Sequence, residues 1–202
     1  MKDTYQTILN IARGEYKDRG SKFMAFAIPV DSELMAKDAI ADIRKKYHDA
    51  RHHCFAYKIG FENDIHRSHD DGEPSGTAGK PIYRQILSSG VTNILVVVVR
   101  YFGGKLLGTG GLIQAYRRAA EDALNHAEIS EKTIVDMVEM HFGYEIQNTI
   151  NKILKTYECK IIQRYFDEKC HFTVQIRKSQ SKEFTEKISA FSDLNFKLNT
   201  GS

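Results

Sequence analysis

The segment HDDGEPSGT, His69 to Thr77, packs an imidazole, two hydroxyls and three carboxylates into one short stretch. Ser75 or Thr77 beside His69 and Asp71 is the raw material of nucleophilic catalysis, in which a base takes the hydroxyl proton and a carboxylate orients the base. The spacing argues against that chemistry, because Gly72 to Gly76 reads G-E-P-S-G and not the G-x-S-x-G of a nucleophile elbow. The same residue types cap turns and helix starts. The expected role of Asp70, Asp71 and Glu73 is therefore to fix the loop around Gly72, Pro74 and Gly76 and to screen the nearby Lys80.

His48, His52, His53, His66 and His69 stand close to those acids, and the set invites a metal. The spacing does not select one. On a strand, His52 and Cys54 face one side and His53 the other, so the run HHC cannot converge on one ion. No metal site and no cofactor are expected.

A second cluster of glycines, in FGGKLLGTGG from Phe102 to Gly111, precedes a helical pattern. Unpaired amides and the dipole at a helix start favour phosphate or carboxylate. From Pro74 to Ala120 there is no Asp or Glu, while Lys80, Arg84, Arg100, Lys105, Arg117 and Arg118 all fall inside, although the whole chain sets 29 Lys and Arg against 26 Asp and Glu. One-sided charge of that length reads as a surface built to meet an anion. The expected anion- or nucleic-acid-binding residues are Lys80, Arg84, Arg100, Lys105, Gly108, Thr109, Gly110, Gly111 and Arg118. Arg100 and Lys105 lead them, Arg100 because it ends a buried strand. Tyr101 and Phe102 are placed to stack on bases, although core packing is the commoner use of a Phe. Named nucleotide motifs fail: Gly79-Lys80 is followed by Pro81, so this is no P-loop, and GTGGLI lacks the last small residue of a dinucleotide fingerprint.

These residues need elements to hold them. Tyr5 to Leu9 and Phe23 to Val30 read as strands around a polar turn, KDRGSK. Asp31 or Ser32 caps a helix carrying Leu34, Met35, Ala39, Ile43 and Tyr47. His52 to Ile59 alternates as a strand, Pro81 opens a short helix ended by Gly90, and Ile94 to Val99 is a strand buried on both faces. Leu112, Tyr116, Ala119, Ala120, Ala123 and Leu124 form the apolar face of a helix, with Arg117–Glu121 and Arg118–Asp122 as i, i+4 pairs.

Past Ser130 the pattern restarts. Strand, helix, two strands flanking Asp167-Glu168-Lys169, helix and strand give β-α-β-β-α-β, the ferredoxin-like order. The fold class is α+β, with a βαβ-rich domain over 1–130 and a ferredoxin-like domain over 131–202. A net charge of +3 leaves no polybasic arm, and the three cysteines, Cys54, Cys159 and Cys170, lack disulfide or zinc spacing. No apolar run is long enough to span a bilayer and Met1 to Asn10 lacks signal-peptide regions, so a cytoplasmic protein without membrane partners is expected.

RSHDDGEPSGTAGKPI (Arg67 to Ile82), VVVVRYFGGKLLGTGGLIQAYRRAA (Val96 to Ala120) and HHCFAY (His52 to Tyr57) closely resemble the IMPACT family in its bacterial, YigZ-type form. The resemblance implies an N-terminal domain folded like the second domain of a small-subunit ribosomal protein and domain IV of elongation factor G, a fold also shared with certain small-molecule kinases. It implies a C-terminal domain like domain V of the same factor. Eukaryotic relatives restrain a stress kinase that phosphorylates an initiation factor. The chain shows no additional N-terminal domain of the kind they use, so that pathway is not expected to transfer. The resulting expectation is a non-enzymatic RNA- or ribosome-associated protein regulating translation, with RNA or ribosome-associated components as partners. The alternative is an enzyme on a small phosphorylated or carboxylate substrate.

Overall fold

The computed structural model describes residues 3–61 and 64–200 and is α+β throughout. Contacts among the described residues divide the chain into Gln6–Glu131 and a second unit in which residues 3–5 join 132–200. Two short strands, β1 (Thr4–Ile8) and β7 (Ile129–Thr133), form a two-stranded sheet.

In the first unit, β2 (Ala12–Asp18), β3 (Ser21–Pro29), β4 (His52–Ile59), β5 (Ile65–His69) and β6 (Ile94–Tyr101) form one sheet in the order β2-β3-β6-β4-β5, antiparallel at every pairing. Helix α1 (Glu33–Lys46), capped by the Ser32 hydroxyl on the Met35 amide, links β3 to β4, and β6 lies between those two strands. Helices α2 (Gly79–Ser89) and α3 (Gly108–Asn125) cover the opposite face.

The central strand of the sheet is buried on both sides. Ile94, Val96 and Val98 pack with Ile82, Ile86 and Tyr116 of the two covering helices, while Leu95, Val97 and Val99 pack with Phe26, Phe55 and Ala36. Fully burying one such side chain contributes about 1.5–3 kcal/mol.

Three elements depart from the sequence reading. The partner of the Phe23 strand is ARGEYKD, joined to it by Arg19 and Gly20, both at positive φ as a tight hairpin turn requires, while Tyr5 to Leu9 pairs elsewhere. β5 is exposed along its whole length and paired only to β4, so it carries no apolar signal. α3 starts at Gly108, inside the glycine cluster and not after it.

In the second unit, β8 (Val135–Phe142), a 3-10 turn over Tyr144–Ile146, α4 (Gln147–Thr156), β9 (Lys160–Phe166), β10 (Cys170–Arg177), α5 (Lys178–Ile188) and β11 (Asn195–Asn199) follow in that order. Their sheet is antiparallel, β11-β8-β10-β9, and its apolar face, with Val138, Met140, Phe172 and Val174, packs on Ile150, Leu154 and Phe184 of the helices. Cys170 pairs with Phe166 and Phe142, and all three cysteines are free. Cys159 is half-buried, and burial pushes its thiol up to about 11. Among the described residues no helix is long and apolar enough to cross a membrane.

Candidate functional site

Strand register fixes the first side chains of the site. Arg100, near the end of β6, stands opposite Phe23 on one side and His52 on the other, and alternation puts all three on the face covered by α2 and α3. The loop from Asp70 to Ala78 passes over that end of the sheet, and each of its three acids is tied to a different part of the unit.

Asp70 serves α2. The helix has Ala78 at its N-cap, which offers no side-chain acceptor. Asp70 reaches forward instead: its Oδ1 accepts from the Ala78 and Gly79 amides at 3.0 and 2.8 Å, and its Oδ2 from the Gly76 amide at 2.8 Å. Burial pushes this carboxyl up, but the Gly76, Gly79 and Ala78 amides outweigh it and hold the group below the usual aspartate range. Gly79 is obligatory here, because a Cβ would sit 2.6 Å from the His69 amide nitrogen.

Asp71, at a positive φ of 45°, serves α1 and β4. It accepts from Arg44 at 2.5 Å and from the His53 amide at 2.7 Å, and its carbonyl lies 2.8 Å from His52 Nδ1. Glu73 serves β6 and α3. Its Oε1 accepts from Arg100 at 2.5 Å and from the Tyr116 hydroxyl at 2.8 Å, and His52 Nε2 lies 4.0 Å away.

Behind this pair sits Cys54, with Sγ 3.0 Å from the Asp70 carbonyl and 3.3 Å from the Tyr116 hydroxyl. Burial pushes both the thiol and the phenol far above their ordinary ranges, and the neighbouring Glu73 charge adds to it. Both stay protonated at neutral pH, so Cys54 is a packed hydrogen-bonding thiol and not a nucleophile.

Arg100 requires a correction. Its side chain is 7% exposed and ion-paired to a carboxylate that is 4% exposed, and its guanidinium lies 5.4 Å from the Phe23 ring and 5.6 Å from the Phe102 ring. It is a neutralised, clamped cation and does not add to the exposed basic surface. Phe102 is also placed otherwise than expected: it is 45% exposed and not in the core. Lys80 makes no ion pair with Asp70, Asp71 or Glu73 among the described residues, and Arg118 pairs with Glu121, not Asp122, which accepts from the Glu15 amide instead.

The nucleophile arrangement does not form. Thr77 is buried and donates to the Pro74 carbonyl at 2.6 Å, Ser75 is exposed, and His69 Nδ1 accepts from the Asp71 amide. Among the described residues no three His, Cys, Asp or Glu side chains converge in a way that could hold a metal. His53 is bound to the Tyr47 carbonyl, while His48, His66 and His69 are exposed.

A cavity of about 340 Å³ opens beside the buried pair. Arg51, His52, Glu73, Pro74 and Arg100 line one part of it, and Phe102, Leu106, Leu107, Leu112 and the first residues of α3, Gly108 and Thr109, line the rest. Leu106 is 82% exposed in the loop between β6 and α3. The sequence reading missed Tyr116, Cys54, His52 and Arg51 as parts of this site, since only the pairing of β4 with β6 brings His52 to Arg100.

The remaining cations lie outside. Lys80 and Arg84 of α2, and Arg117 and Arg118 of α3, are exposed, as is Lys105 in the loop. Among the described residues Lys80, Arg84, Lys105 and Arg117 have no ion-pair partner.

Residues 19–124 match the Impact N-terminal domain. The chain is 36% identical over 174 residues to IMPACT family member YigZ of Escherichia coli, covering 85% of each protein, and 31% identical over 186 residues to IMPACT family member YvyE of Bacillus subtilis, covering 92% of this chain and 86% of the relative. Protein IMPACT homolog of Saccharomyces cerevisiae is 41% identical over 97 residues, 45% of this chain and 36% of that protein. A crystal structure described as that of a hypothetical protein superposes with a TM-score of 0.71 at 30% identity, covering 100% of this chain and 99% of that one. With its first unit matched and bacterial members aligned over most of their length, the chain belongs to the IMPACT family.

Proposed function

We propose that this protein is a non-enzymatic, RNA- or ribosome-associated regulator of translation that holds phosphates on the outer face of α2 and α3. The observation that carries the reading is the unpaired charge on that face. Lys80, Arg84 and Arg117 project from two helices that have no acid before Glu121, and no carboxylate neutralises them among the described residues. Charge of one sign on a rigid helical layer is the footprint of phosphate contact, which positions a nucleic acid without reading its bases.

The site chemistry gives the enzymatic alternative less support. The acids of the Asp70 loop are each committed to internal hydrogen bonds, the thiol and phenol beside them are protonated, and the Thr77 hydroxyl of that loop donates to a backbone carbonyl and not to a base. The element order and antiparallel sheet of the second unit support reading it as ferredoxin-like, and the elongation-factor likeness that the family resemblance implies is in keeping with contact to ribosomal RNA.

The test is ultraviolet crosslinking of tagged protein in cells, followed by recovery with and without RNase and sequencing of the bound RNA. The expected result is crosslinked RNA whose yield falls several-fold when Lys80, Arg84 and Arg117 are replaced by alanine. No recovered RNA, or a yield unaffected by the triple change in a folded protein, would overturn the reading.

A further inference from the structure

In the second unit, β8 sends Val138, Met140 and Phe142 into the core beneath the helices, and β10 sends Cys170, Phe172 and Val174. Alternation puts His141 and His171 on the opposite face of the sheet. The two are cross-strand partners in the β8–β10 register, with ring centroids 4.6 Å apart.

The His171 ring is fixed from two sides. Asp167, in the turn between β9 and β10, lies with Oδ1 2.8 Å from His171 Nε2, and the same oxygen accepts from the Lys169 amide at 2.8 Å. A carboxylate only accepts, so in the neutral ring Nε2 carries the hydrogen and Nδ1 presents a lone pair. Tyr165 stacks on the ring with centroids 4.2 Å apart and planes 8° from parallel, and the Tyr144 hydroxyl holds the turn through the Asp167 carbonyl. The lone pair faces His141 Nδ1 at 2.5 Å. That is closer than the about 2.7 Å at which hydrogen bonds from nitrogen begin.

A histidine that gives one ring N–H to a carboxylate and turns its other nitrogen outward is the arrangement that orients a metal-ligating imidazole. We infer that His141 and His171 bind one divalent transition ion of the Zn²⁺ type through their Nδ1 atoms, with Asp167 as a positioning residue. With zinc–nitrogen distances of about 2.0–2.1 Å, two tetrahedral ligands stand roughly 3.3 Å apart, so the rings need to part by less than about 1 Å. His141 is exposed and supplies that movement while His171 stays clamped. The ion takes both Nδ1 lone pairs, and His141 carries its own proton on Nε2. Among the described residues no third His, Cys, Asp or Glu joins the pair, so the other positions of the ion are open to water. Glu139, two residues along the same face, is engaged by Asn199 Nδ2. Two imidazoles select ions such as Zn²⁺ over Mg²⁺, which takes oxygen ligands. The site shares no residue with the Asp70 loop or with the basic face of α2 and α3.

Calorimetric titration of the chelator-treated full chain with Zn²⁺ tests the site, with Mg²⁺ as the comparison ion. One Zn²⁺ per chain at micromolar affinity, and no binding of Mg²⁺, is the expected result. His141→Ala and His171→Gln each abolish the micromolar binding. Asp167→Asn keeps an acceptor for the Lys169 amide but removes the charge behind His171, and it weakens binding about tenfold. His48→Ala, at an exposed histidine of the first unit, leaves the affinity unchanged. Unfolding midpoints measured without Zn²⁺ show that each variant is folded, and Zn²⁺ raises the midpoint of the wild type but not of His141→Ala. No saturable binding at millimolar Zn²⁺ would overturn the assignment, leaving only a contact between two surface rings. So would an affinity that His141→Ala and His171→Gln leave unchanged, and an unchanged affinity in folded Asp167→Asn would remove its positioning role.

Discussion

Helices α2 and α3 cover the same face of one sheet, yet they begin in opposite ways. α2 carries its anion within the chain: Asp70, nine residues upstream of Gly79, accepts from the Gly76, Ala78 and Gly79 amides. α3 has no side-chain cap and no acid in its first turn, and Gly108 and Thr109 line a cavity. The difference shows how a run without acids can be built two ways. Where a carboxylate reaches in from outside the run, a helix start becomes a structural joint. Where none does, the first turn of the helix is left without a side-chain cap.

The largest effect should come from separating the pair that lies between those two helix starts. Arg100→Ala leaves Glu73 buried with only the Tyr116 hydroxyl as a close donor, and removing one partner of a buried ion pair costs about 3–5 kcal/mol. Urea denaturation of Arg100→Ala and Arg84→Ala measures it, with Arg84→Ala expected to lie within about 0.5 kcal/mol of the wild type because the residue is exposed. Equal losses in the two variants would mean that Arg100 is not clamped.

Next in size is the joint at α2. Asp70→Ala orphans three amides, each costing about 1–3 kcal/mol if it stays dry, so a loss of about 2–3 kcal/mol is expected after partial hydration. The pH dependence has a definite sign. The folded carboxyl lies below its unfolded value of about 3.9, so its stabilisation is fully present above that pH and is lost as the pH falls through the depressed folded value. Asp70→Asn should therefore flatten the acid limb of the stability profile below about pH 4.

Glycine substitutions separate the two helix starts most simply. Gly79→Ala would bring a Cβ within 2.6 Å of the His69 backbone and should cost more than about 2 kcal/mol, whereas Gly110→Ala meets open space in the first turn of α3 and should stabilise by about 0.5–1 kcal/mol. Thermal melts of both variants check the contrast, and a destabilised Gly110→Ala would show that this turn is not open.

Much of this frame can be read from the sequence because it follows apolar periodicity. The run Ile94 to Val99 can only be a strand covered on both faces, and Leu112, Tyr116, Ala119 and Ala123 can only share one face of a helix. β5 escapes that reading because Ile65 to His69 is exposed at every position and pairs in the sheet only with β4. The start of α3 escapes it because Gly108, Gly110 and Gly111 carry the signature of a loop. The basic stretch is legible as charge, but not as two populations. Arg100 and Arg117 look alike along the chain, and only the fold of the Asp70 loop, which brings Glu73 across 27 residues onto Arg100, buries and neutralises one of them. The same closure makes the acids of that loop internal ties and hides Tyr116 and Cys54 as parts of the site.

RNA contact at the outer face of α2 and α3 is tested most directly by the salt dependence of binding. Titrating a single-stranded RNA at several salt concentrations, with wild type, the Lys80→Ala/Arg84→Ala/Arg117→Ala variant and Arg100→Lys, reads affinity and phosphate contacts together. The logarithmic slope should become shallower by about 0.7 for each lost contact in the triple variant, while Arg100→Lys keeps the wild-type slope because that cation faces Glu73 and not solvent. An unchanged slope in the folded triple variant, or a slope altered by Arg100→Lys alone, would contradict the assignment of RNA contact to the outer face of α2 and α3.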